Sequence, residues 1–209
     1  MMKSAALTAA AAALLLAACT APTPPAASTA SAQPEVSWPV QWVSAEGAIA
    51  LPEGFETWPT LGAWATQPQP GEAVNELHQV YVSPGAIEAY RANGDFPDGT
   101  VMVKEVRNAE SAALTTGQAS YATAPAVWFV MVRDSSARHA GNPLWAEGWG
   151  WALFEAADRG KQVAASYEAA CQQCHIPAKD TNWIYADAYP VLRKTDAPTP
   201  AWKQAAAAQ

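Results

Sequence analysis

Four stretches of this chain carry the β-branched and aromatic residues, and in part the two-residue alternation, of β-strands. They are Glu76 to Val82, Thr100 to Arg107, Ala126 to Arg133 (AVWFVMVR) and Gly148 to Phe154 (GWGWALF). In the last, small residues alternate with tryptophan, so one face is aromatic and the other allows a close approach. Helical spacing is confined to short pieces. Leu51-Pro52-Glu53-Gly54-Phe55 opens one, with Pro early and an acid in the first turn. Ser83-Pro84 caps a second, from about Gly85 to Ala92, which buries Ile87 and Tyr90 and stops at Asn93-Gly94. The third runs from about Ala156 to Gln172, where Val163, Tyr167, Ala170, Cys171 and Cys174 recur on one stripe and set both thiols on its buried side. These elements predict an α+β fold, mostly β: an antiparallel sheet of at least four strands, with short helices and a C-terminal helix reaching the cysteines.

Before Trp38 the pattern is different. Lys3 precedes an apolar run, Ala5 to Ala18, that is too short to span a bilayer and reads as a secretory signal. It ends in Leu16-Ala17-Ala18-Cys19, which resembles a bacterial lipobox; the alternative is a plain signal cut near Ala32. Residues 1–18 are thus expected to be a leader and residue 19 an acylated cysteine. Residues 20–37 are Ala, Pro, Thr and Ser with one carboxylate, a composition for a tether. Residues 38–209 are a single domain, and the ten tryptophans of the chain supply ample surface to bury. The expected location is periplasmic, lipid-anchored through Cys19 to a bacterial membrane; Thr20 after it is compatible with the outer one. Twelve basic side chains face nineteen acidic ones, a net charge of −7. Such a balance repels nucleic acid and anionic headgroups, leaving membrane contact to the lipid.

The sharpest chemical signal is Cys171-Gln172-Gln173-Cys174-His175, the attachment pattern of a c-type haem. Two thiols add to the porphyrin vinyl groups and the adjacent imidazole reaches the iron, making Cys171, Cys174 and His175 cofactor-binding residues and His175 the metal ligand. A zinc half-site would need two more good ligands, with only His78 and His139 to spare, and a redox dithiol is the other alternative. The motif lies near the C-terminus. Carrier cytochromes usually place it near the N-terminus with a methionine ligand far downstream, whereas after the leader only Met102 and Met131 remain, both upstream. This order points to an open distal side, although the chain is not periodic enough for a four-helix bundle.

Four blocks carry a resemblance: Glu76 to Pro84, Asp98 to Glu105, Val132 to Ser135, and Cys171 to Arg193, CQQCHIPAKDTNWIYADAYPVLR. Together they resemble the cytochrome P-460 family, over about Leu51 to Arg193. That resemblance implies a mostly β homodimer and a haem c bound through His175 with the sixth position open. It implies a lysine joined covalently to the porphyrin, and oxidation of hydroxylamine towards nitrous oxide or nitric oxide, with electrons passed to a soluble cytochrome. The family's lysine falls on Lys104.

Lys104 shares a strand face with Met102 and Val106, where desolvation favours the neutral amine able to bond to a ring. The alternative is a solvated edge lysine paired with Glu105 or Glu110. Hydroxylamine-oxidising members align a carboxylate with the Trp128, Phe129, Val130 stretch, which here holds no acid. A proton acceptor is useful in that reaction, whereas an apolar pocket favours nitric oxide or carbon monoxide. The related cytochrome c-prime-beta proteins lack the cross-link and cap the iron with aromatic rings. Phe129 is the candidate for such a cap, with plain core packing as its alternative. A non-enzymatic nitric oxide binder is therefore the second functional expectation, and an electron carrier using Met102 or His78 the third. His78 fits a distal ligand or base, but taken alone it and both methionines read as core residues. Arg133 fits either a propionate partner or the surface.

Overall fold

The computed structural model describes residues 37–38 and 40–193; the leader, Cys19 and most of the tether lie outside them. Its centre is a sheet in which all pairs are antiparallel: β1 (Thr60–Thr66), β2 (Glu76–Val82), β3 (Val101–Leu114), β4 (Gly117–Arg133), β6 (Trp149–Glu155) and β5 (Trp145–Ala146), in that spatial order. β7 (Asp158–Gln162) pairs with β6. Helix α1 (Ala86–Asn93) follows β2, and two single turns, α2 (Tyr167–Ala170) and α3 (Gln172–His175), lead into a C-terminal segment of 3₁₀ turns. The mostly β architecture is as the residue pattern predicts.

β2 has the expected bounds, and α1 ends on Gly94 in the left-handed conformation (φ 81°). Ser83 does not cap α1. Its hydroxyl accepts from Val101 N at 3.1 Å and ties the start of β3, while Gly85 occupies the cap position. β3 and β4 are longer than predicted because they continue as a two-stranded ribbon that turns at Thr115-Thr116. β1, at the sheet edge, was not predicted.

The expected helix from Ala156 to Gln172 is the main correction. Ala156-Ala157 forms a turn, Asp158–Gln162 returns beside β6, and helix begins only at Tyr167. The Ser166 hydroxyl accepts from Ala169 N at 3.2 Å, an N-cap that fixes the start. The buried stripe therefore does not exist as one surface: Val163 is 39% exposed, and of the two cysteines Cys171 is buried but Cys174 exposed.

Alternation divides the sheet into two faces. Tyr81, Val101, Val103, Trp128, Val130, Val132, Ala152 and Phe154 make the far-face core, covered by residues including Val40, Ile49 and Phe55. Gly150 shows why a small residue alternates with tryptophan in β6: a side chain there would meet Trp145 at 2.7 Å and Ile49 at 2.8 Å. The opposite face carries Val80, Val82, Met102, Met131, Trp149 and Trp151, and packs on Tyr167, Cys171, Trp183, Ile184 and Tyr189 of the C-terminal segment.

Candidate functional site

Cys171 separates α2 from α3, while Cys174 and His175 sit on α3, so the motif occupies one tight stretch of backbone. Both thiols are free. Burial, with the neighbouring Cys174, pushes the Cys171 thiol up to about 11, which keeps it protonated. His175 Nδ1 lies 2.7 Å from the carbonyl oxygen of Trp183. A carbonyl only accepts, so Nδ1 donates and Nε2 is left bare, the arrangement that orients a histidine for iron. Burial lowers the His175 pKa, against the raising effect of that hydrogen bond, and nearby Lys104 lowers it further. The imidazole is held neutral.

The carbonyl is aimed by unusual backbone. Asn182 and Trp183 are both left-handed, with φ 59° and 63°, a conformation in which a bulky residue is strained. Trp183 N donates to Ala178 O at 2.9 Å, and the Asn182 amide donates to Asp95 Oδ1 at 2.8 Å. Trp149 Nε1 donates to Asn182 O at 3.1 Å. Trp151 then packs edge-on against the His175 ring, with centroids 4.7 Å apart. The Tyr185 hydroxyl donates to the Cys174 carbonyl.

Facing this motif across a cavity of about 680 Å³ is the sheet. Register sets this face of the sheet in rows: Gly62, Val80, Lys104, Phe129 and Leu153 lie side by side across five strands, with Val82, Met102, Met131 and Trp151 in the next row and Trp64, His78 and Val106 on the other side. Lys104, Phe129, Met102, Met131 and His78 line the same cavity as Cys171, Cys174 and His175. Lys104 Nζ stands 4.4 Å from the centre of the Phe129 ring. It has no ion pair or hydrogen bond among the described residues. Burial lowers its pKa, opposed by the thiols of Cys174 and Cys171 and by Glu76.

The alternative partners expected for Lys104 are engaged elsewhere. Glu105 is on the far face, accepting from Trp128 Nε1 at 3.1 Å and Arg107 at 3.0 Å. Glu110 lies out on the ribbon against the Tyr121 hydroxyl at 3.4 Å. Arg133 does not line this cavity. It is buried, paired with Asp95 at 3.0 Å and stacked over Trp149, and it borders a second cavity beside Tyr90 and Asn182. Arg133 is therefore neither a surface residue nor part of the main pocket.

The residues present fit a covalently held haem. Two unpaired thiols and an imidazole with a bare Nε2 sit together on one wall, the lining is largely apolar, and no group of three or more His, Cys, Asp or Glu side chains gathers for zinc among the described residues. Residue spacing alone missed Trp64, which belongs to the unpredicted β1 and stacks on Tyr189 with rings 6.1 Å apart. It also missed the carbonyl of Trp183, a backbone group that no side-chain pattern records. Tyr189 and Tyr185 lie in the Cys171 to Arg193 block, where resemblance rather than periodicity signalled them.

A family model described as Cytochrome P460 matches residues 52–186, a stretch that contains every residue of this pocket through Tyr185. None of the curated proteins matches the chain.

Proposed function

The chain belongs to the cytochrome P460 family of c-type haem proteins, and from that premise and the pocket we propose that it oxidises hydroxylamine, towards nitrous oxide or nitric oxide. One observation carries the reading: Lys104, a desolvated lysine without a counter-ion among the described residues, lines the same cavity as the haem-attachment motif. When bound, the haem supplies a redox-active iron that takes a small nitrogen ligand and passes its electrons on.

The chain's own residues do the rest. Cys171 and Cys174 would hold the ring through their thiols, and His175, its Nδ1 fixed on Trp183, would offer Nε2 to the iron. Lys104 would be the side chain placed to join the ring from the sheet side. Phe129 and the methionines limit the pocket to small uncharged ligands. Electrons leave to a soluble c-type cytochrome. The protein works in the periplasm as a homodimer, tethered through acylated Cys19.

Phe129 also supports a second reading. An aromatic ring in an apolar pocket, where oxidising relatives align a carboxylate, suits nitric oxide sequestration without turnover. Optical spectra and turnover of the holoprotein separate the two. The oxidase reading expects a reduced Soret band shifted strongly to the red and hydroxylamine-dependent reduction of a cytochrome. An ordinary c-type band with tight nitric oxide binding and no turnover would replace it with the second reading.

A further inference from the structure

The cavity that holds the haem-attachment motif contains no Asp or Glu in its lining, yet the reaction proposed above must remove protons as well as electrons. Its proton-accepting side chains are few. His175 and the two thiols are committed to the haem in that reading, and Lys104 to the ring. Burial raises the pKa of both Tyr185 and Tyr189, which makes them donors rather than acceptors. His78 remains.

We infer that His78 Nδ1 accepts the proton released by bound hydroxylamine, with Glu76 as the group that positions the imidazole. This assignment rests on the hydroxylamine reading. His78 Nε2 lies 3.1 Å from Glu76 Oε2. A carboxylate only accepts, so Nε2 carries the hydrogen and Nδ1 is the free lone pair; Nδ1 makes no hydrogen bond among the described residues. The ring is wedged beside Trp64, with centroids 6.2 Å apart, and sits one row from Lys104 and Phe129 on the same sheet face. Its side chain is 14% exposed, whereas that of Glu76 is 37% exposed and also accepts from the Thr66 hydroxyl at 3.5 Å. The pair therefore runs from the cavity to solvent. In the step, an N–H or O–H bond of hydroxylamine breaks, its proton goes to Nδ1 and the bonding pair stays on the substrate. The electrons of the oxidation leave singly to the cytochrome acceptor. The imidazolium formed is stabilised by the Glu76 carboxylate, which keeps its own charge. In place of a carboxylate on β4, this chain uses a dyad on β2.

Hydrogen cyanide tests this without turnover, because it is protonated at neutral pH and must lose its proton to bind iron, whereas carbon monoxide has none to lose. Association rates of cyanide with ferric holoprotein and of carbon monoxide with ferrous holoprotein are measured for the natural chain, His78→Gln and Glu76→Gln. His78→Gln is expected to slow cyanide by about tenfold to a hundredfold and carbon monoxide by less than about twofold; Glu76→Gln is expected to slow cyanide by about threefold or more. Unchanged cyanide rates, or equal slowing of both ligands, would overturn the assignment. Should His78→Gln fail to assemble with haem, Glu76→Gln carries the same test on a partly exposed side chain. Turnover with no His78 dependence of cyanide binding overturns the acceptor alone. A His78-dependent cyanide rate in protein that leaves hydroxylamine unoxidised supports the acceptor and overturns the function proposed above.

Discussion

Trp128 and Phe129 are neighbours in the chain and belong to opposite regions of the molecule. Trp128 is 2% exposed in a far-face core whose valines are almost fully buried, and its indole N–H satisfies the one carboxylate there, Glu105. Phe129 borders an open cavity, with the Lys104 Nζ 4.4 Å from the centre of its ring. On one face every polar group of the Glu105 network has a partner. On the other, Lys104 and His78 Nδ1 have none among the described residues, and the chain leaves space instead of filling it. Residue parity along the strands thus separates what stabilises the sheet from what lines the cavity.

The largest expected effect is on that contrast. Trp128→Ala removes a fully packed ring and one of the two partners of buried Glu105, and should cost about 3–5 kcal/mol in urea denaturation, with holoprotein that does fold keeping its Soret spectrum. Phe129→Ala, beside existing space, should cost only about 1–2 kcal/mol yet change ligand association in the pocket. Equal costs would erase the distinction between the faces. Next in size, Asp95→Ala leaves buried Arg133 and the Asn182 amide without their shared partner, and should cost about 1–3 kcal/mol. Because Asn182 precedes the carbonyl that holds His175, this variant should also broaden the haem spectrum, a readout that Trp128→Ala spares.

The smallest effect is away from both faces. Burial works to raise the Asp98 pKa, but hydrogen bonds from Arg138, Ser135 N and the Ser136 hydroxyl outweigh it and hold the carboxyl well below the usual range. A depressed folded pKa means its contribution is present above the ordinary carboxylate value and is lost as pH falls through the lower one. Asp98→Asn should therefore lower stability at neutral pH and flatten the acid limb of a stability profile. A profile that superimposes on the unmodified protein's below pH 5 and above it would deny Asp98 this role.

Much of this contrast was legible before the fold. β2, the first half of β3, the second half of β4 and β6 announce themselves because they are half or fully buried, so valine and tryptophan recur in them. The ribbon beyond Arg107 is mostly Ala, Ser and Thr at largely exposed positions, and carries no run of β-branched and aromatic residues to read. β1 is an edge strand with Gly62 inside it, where Tyr189 approaches within 3.1 Å of the place a side chain would take. The error over residues 156–166 arose because apolar spacing can mimic a helix, whereas Ser166 marks the true start. The cysteines and His175 stood out because the pattern that haem attachment requires occupies five consecutive residues. Phe129 and His78 meet Lys104 only through strand register, which no local pattern states.

The most direct test of the central claim, that one porphyrin is held from both sides of the pocket, is the mass of the tryptic haem peptide from holoprotein. If Lys104 is bonded to the ring, trypsin cannot cut there, and residues 92–107 should be recovered joined through haem to residues 162–179. Recovery of residues 92–104 free of porphyrin, beside haem attached only to residues 162–179, would contradict it.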